Sequence, residues 1–157
     1  MSKIKDYVQQ SILKIMQFNE VCGNLDNITT DKLALQLDLI QEEYLETVEA
    51  FDNNNDVEFL DGTIDMFVVI VGQLLKLESA GFNVAEAMKR VDDNNLSKFP
   101  SLVEDFSYSN EFTCTVNEKY NVAVIKDSNG KVRKPLEFKP VDISDCAVAG
   151  FLKESVV

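Results

Sequence analysis

Apolar residues recur every three or four positions through the first hundred residues and every second position in a short stretch after that. Residues 3–22 carry Ile4, Tyr7, Val8, Ile12, Ile15, Met16 and Phe18 at the spacing of an amphipathic helix, and Gly23 follows where a C-terminal cap belongs. Thr29-Thr30-Asp31 supplies an N-cap and an acidic first turn for a second helix, from about residue 31 to 51. Leu33, Leu35, Leu37, Leu39, Ile40, Leu45, Val48 and Phe51 are its apolar positions. The polar run Asp52-Asn53-Asn54-Asn55-Asp56 breaks it. A third helix is expected over residues 57–80, capped by Asn55 or Asp56 and stopped by Gly81. Asn83 followed by Glu86 has the form of a capping box and opens a fourth helix through about residue 91, with Val84, Ala87, Met88 and Val91 turned inward.

After Pro100 the period shortens. Residues 112–116 and 120–125 are β-branched and near-alternating, and Asp127-Ser-Asn-Gly130 is a turn signal before Lys131-Val132-Arg133. The expected fold is all-α: a four-helix bundle over residues 1–100, helices 2 and 3 forming an antiparallel hairpin. An extension with two or three short antiparallel strands, residues 101–157, packs on the same domain.

Composition narrows the chemistry. The 157 residues are 45% apolar and 27% charged, values of an ordinary globular chain. Acidic residues outnumber basic ones 27 to 15, for a formal charge of −12, which works against binding nucleic acid or anionic lipid through bulk electrostatics. There is no histidine, so Ser-His or Cys-His catalysis and His-ligated metal centres are excluded within the chain. A di-iron carboxylate bundle, which needs Glu-x-x-His twice, falls with them. Cys22, Cys114 and Cys146 are odd in number and widely spaced, the pattern of reduced cytosolic thiols. The segment MSKIKDYVQQ has no apolar core of a signal peptide. The longest apolar stretch is far short of the roughly 20 residues that cross a bilayer. A soluble, cytoplasmic protein is expected.

The conspicuous feature is acidic. Glu42 and Glu43 stand one turn from Glu46, and Glu58, Asp61 and Asp65 form a stripe at i, i+3, i+7. Asp65 immediately precedes the apolar run Met66–Val71, where an unpaired carboxylate is costly to bury. Two such stripes on packed antiparallel helices converge, and carboxylates crowded in one cleft repel each other unless a cation sits between them. Oxygen ligands select hard ions such as Mg²⁺ or Mn²⁺. The competing reading is a solvated face on a non-catalytic, acidic helical interaction protein. No D-x-[DN]-x-[DN]-G loop points to Ca²⁺.

These motifs resemble those of the MazG-like all-α nucleoside triphosphate pyrophosphohydrolases. Glu42-Glu43-Tyr-Leu-Glu46 resembles their EExxE motif, and Glu58-Phe-Leu-Asp61-Gly-Thr-Ile-Asp65 their ExxD motif ahead of an apolar run. Asn95-Leu-Ser-Lys98 is similar to the Asn-x-x-Lys element of phage-type members, and Asp127-Ser-Asn-Gly-Lys131-Val-Arg-Lys134-Pro135 to their C-terminal DGKVxKP segment. One position departs from the pattern: three residues before Asp65 stands Gly62, not Glu, so the ExxD register falls on Asp61 or Asp65.

The resemblance implies a bundle that assembles as a homodimer or homotetramer, with Mg²⁺ (or Mn²⁺) held by Glu43, Glu46, Glu58, Asp61 and Asp65. The implied reaction hydrolyses a (deoxy)nucleoside triphosphate to the monophosphate and pyrophosphate. Glu42 or Glu43 would orient or deprotonate the attacking water. Asn95, Lys98 and Lys134 would hold the outer phosphates, with the base in an apolar slot near Phe18.

Overall fold

The computed structural model describes residues 3–153. The chain is mostly helical: α1 (Lys3–Val21), α2 (Thr30–Asp52), α3 (Asp56–Ser79) and α4 (Val84–Leu96) precede a two-stranded antiparallel sheet, β1 (Thr113–Asn117) and β2 (Val122–Lys126). Short 3-10 turns follow at Ser144–Cys146 and Phe151–Lys153. Four helices with a small β appendage is the fold class read from the sequence.

Helix ends follow local chemistry. α1 closes with Asn24 N–H donating to the Asn19 carbonyl (2.9 Å) and Gly23 N–H to that of Glu20 (3.0 Å), with Gly23 at φ +65. This paired closure needs a left-handed residue just past the helix. α3 ends identically around Gly81. α2 uses Asn54 in the left-handed role, at φ +54, with Asn55 N–H donating to the Ala50 carbonyl at 2.9 Å. The next residue, Asn55, is already the N-cap of α3, its Oδ1 accepting from Glu58 N–H. Two adjacent asparagines thus end one helix and begin the next, and the chain reverses in a minimal turn.

The chain divides into two compact units, one built from residues up to Val84 with the return segment from Ala147, the other from Ala85 to Cys146. In the first, α3 packs along α2 and against α1. Two glycines on α3 permit the α2 approach. A Cβ at Gly62 would stand 2.5 Å from Thr47 Oγ1, and one at Gly72 would stand 3.3 Å from Gln36 Nε2. Pairing residue 62 with 47 and 72 with 36 makes the helices antiparallel, as the sequence pattern implies. The return segment closes with Phe151 edge-on to Phe82, ring centroids 5.6 Å apart.

The core of this unit is thin. Ile15, Leu33, Ala50 and Val71 are its buried apolar side chains, whereas Leu35, Leu37, Phe51, Leu60 and Ile64 on α2 and α3 are exposed. Between the helices lies a polar layer: buried Lys76 donates to Gln36 Oε1, Gln36 Nε2 to the Val69 carbonyl (2.8 Å), and Asn19 Nδ2 to the Ile15 carbonyl (2.9 Å).

In the second unit, Thr113 pairs with Lys126 and Asn117 with Val122, and Ile125 and Ala123 are its most buried side chains. The third expected strand is reduced to a bridge between Val132 and Lys126. Asp127 explains why: its carboxylate accepts from Asn129 and Lys131 N–H (2.9 Å each) and from Arg133 Nε (2.9 Å), which curls the chain instead of extending it. α4 runs to Leu96, beyond its expected end near residue 91, and buries no residue fully; Met88 and Val91 are exposed where inward positions were expected. Its solvated polar end, Asp92-Asp93-Asn94-Asn95, continues the helix. Asn94 Nδ2 donates to the Lys139 carbonyl (2.7 Å), and Arg90 reaches Asp145 through two hydrogen bonds.

Candidate carboxylate site

The Thr47–Gly62 crossing sets which acidic residues meet. Glu43 lies one turn before Thr47 on α2, and Asp65 nearly one turn after Gly62 on α3. In an antiparallel pair these steps lead the same way from the crossing, so both side chains fall on one side of it. Glu43 and Asp65 are half-buried, while Glu42, Glu46 and Asp61 are exposed around them. The Glu43 carboxyl is pushed above its ordinary value by burial first, then by Asp65, Glu46, Glu42 and Asp61, in that order. Carboxylates from both helices therefore act on one acidic side chain, and Asp65 acts on it more strongly than Asp61.

Glu58 lies further along, at the hairpin turn, where with Glu46, Glu49, Ala50, Asn53 and Asn55 it lines a cleft of about 310 Å³. Among the described residues, no three Asp, Glu or Cys side chains converge closely enough to cage a metal by themselves. A hard divalent ion of the Mg²⁺ kind keeps several waters and takes one or two carboxylates plus substrate phosphate oxygens, so it would not need such a cage. The all-oxygen donor set, concentrated on Glu43 and Asp65 with Glu46 and Asp61 beside them, fits such an ion.

The remaining expected site residues lie in the second unit. Lys98 Nζ donates to Asn95 Oδ1 at 2.7 Å, so these two are together at the C-terminal end of α4. Lys134 is engaged with the Phe138 ring, 4.4 Å from its centroid. The same unit holds an apolar cavity of about 470 Å³ lined by Leu96, Phe99, Asn117, Tyr120, Val122 and Val124. Phe18 is 62% exposed. The three cysteines are free: Cys146 is buried, Cys114 half-buried and Cys22 exposed.

Sequence reasoning missed Thr47, whose Oγ1 donates to the Glu43 carbonyl at 2.7 Å, and the buried Lys76. Thr47 had a legible signal, since it stands four residues after Glu43, within reach of its carbonyl. Lys76 did not, because surface and core lysines look alike in sequence. No family model, curated protein or solved structure matches the chain. Among the described residues, no helix is long and apolar enough to cross a membrane.

Proposed function

We propose that the protein is a Mg²⁺-dependent pyrophosphohydrolase of nucleoside or deoxynucleoside triphosphates, releasing the monophosphate and pyrophosphate, as its resemblance to MazG-like enzymes implies. The observation that carries the reading is the placement of Glu43 on α2 and Asp65 on α3, both half-buried, on the same side of the Thr47–Gly62 crossing. Phosphoryl chemistry is mostly positioning and charge neutralisation, so a chain without histidine lacks nothing essential. Mg²⁺, or Mn²⁺ in its place, supplies positive charge to the phosphate oxygens and acidifies bound water. Glu43, Asp65, Glu46 and Asp61 would hold it, with Glu58 at the far end of the stripe. Glu43, or the exposed Glu42 beside it, would take the proton of the attacking water. The exposed apolar side chains of α2 and α3 favour a homo-oligomer, dimer or tetramer, in which a second copy covers them, and a cytoplasmic setting suits the free thiols.

A second reading, an acidic helical interaction protein without catalysis, is favoured by those same exposed side chains. Pyrophosphate release from a panel of NTPs and dNTPs, with and without Mg²⁺, separates the two. Release that needs Mg²⁺ and is lost in Asp65→Asn or Asp61→Asn supports the enzyme and shows which aspartate matters more. If no nucleotide is hydrolysed and Mg²⁺ leaves the melting temperature unchanged, the interaction reading stands.

A further inference from the structure

We propose that Gly62 is a positioning residue: by leaving room for Thr47 it lets α2 and α3 close to the separation at which Glu43 and Asp65 share a cation. The inference rests on the carboxylate-site reading above. Thr47 is β-branched, hence stiff about χ1, and its Oγ1 is tied to the Glu43 carbonyl at 2.7 Å. It cannot swing away from α3 without giving up that bond. Any side chain at position 62 would begin with a Cβ 2.5 Å from Oγ1 and 3.4 Å from Thr47 Cα and Cβ. Restoring ordinary contact, which begins at 3.4 Å, requires a shift of roughly 0.9 Å, whereas metal–ligand distances are held to about 0.2 Å.

The displacement is not diluted before it reaches the site. Glu43 and Asp65 each stand within about one turn of the crossing and on the same side of it, so separating the helices there opens the gap between the two carboxylates. The departure from the ExxD pattern follows from the same contact. Position 62 is buried under Thr47 and has no room for a glutamate.

The test uses the full chain and Mn²⁺ alone as probe. Its affinity is measured by electron paramagnetic resonance and calorimetry for wild type, Gly62→Ala, Thr47→Ala and the double variant, with circular dichroism confirming that each is folded. Gly62→Ala is expected to weaken Mn²⁺ binding about tenfold or more, as loss of a ligand-orienting contact does. Thr47→Ala, which removes the obstructing hydroxyl, is expected to bind nearly as wild type, and the double variant to return to the Thr47→Ala value. That non-additivity is the signature of a shared contact. A purely structural role would lower the melting temperature of Gly62→Ala with Mn²⁺ affinity unchanged, and that result overturns the proposal. So does a double variant that binds no better than Gly62→Ala. Should Gly62→Ala fail to fold, the comparison of the double variant with Thr47→Ala decides by the same criterion. If wild type itself takes up no Mn²⁺, the carboxylate-site reading fails and this inference with it, an outcome distinct from a wild type that binds and a Gly62→Ala variant that binds equally well.

Discussion

Lys76 offers the sharpest test of the helical core. The residue is 5% exposed and donates to Gln36 Oε1, a neutral amide. Burial is the main force holding its pKa below the ordinary 10.5, and the positive charge of Lys32 adds to it. A lysine whose folded pKa is depressed binds its proton more tightly in the unfolded chain. Between the lowered folded value and 10.5 the unfolded state therefore holds the extra proton, and stability rises with pH at no more than about 1.4 kcal/mol per unit, levelling off above 10.5. Below the folded value the penalty is complete and no longer changes. Lys76→Met removes this titration and adds a pH-independent cost of about 1–3 kcal/mol for leaving Gln36 Oε1 without its donor. The assay is urea denaturation of both proteins from pH 7 to 11, subtracting the variant so that other lysines and tyrosines cancel. The wild type should gain on the variant as pH rises. A difference that stays flat across the whole interval would refute the claim that the buried ammonium is destabilising.

Three further outcomes follow from the structure. Asp127 is held below the usual aspartate range: burial opposes this, but hydrogen bonds from Lys131 and Asn129 N–H and the Arg133 side chain outweigh it. Its contribution is present at neutral pH and is lost as pH falls through its lowered pKa, so amide protection of residues 129–133 should drop in acid for wild type and be low at every pH in Asp127→Ala. Ile125 is wholly buried in β2, and Ile125→Ala should cost about 2–5 kcal/mol, read as faster hydrogen exchange at residues 122–126. Leu60 and Ile64, 61% and 52% exposed on α3, should lie in the proposed subunit contact. Sedimentation of Leu60→Glu with Ile64→Glu should then give a monomer, and an unchanged oligomer would place the contact elsewhere.

The helices were legible because their ends are written in local chemistry. Gly23 and Gly81 take the positive φ their positions suggested, and Thr29 caps α2 as read. Asn54 was harder: among five polar residues, nothing in composition marks which one turns left-handed. The end of α4 was missed because a solvated helix can finish in polar residues without a break in its pattern. Burial was the least legible quantity. Leu35 and Leu37 are apolar positions of the helix pattern, yet α2 packs mainly along α3 and these side chains are left exposed. The acidic stripes were visible from spacing alone. The weight falling on Glu43, and on Asp65 over Asp61, was not, because it depends on the helix register, and that register is fixed by Thr47 against a glycine that looked only like a motif irregularity.

The asparagine turn between α2 and α3 also bears on the order of events during synthesis. Glu43 and Asp65 stand 22 positions apart, and most of the intervening chain is helix, so bringing them together closes a short loop at small entropic cost. Local pairings of this kind form fast, well before contacts between distant segments. A ribosome that has released α3 has therefore already released everything needed to bring these carboxylates together, while the strands of the second unit are still to be made.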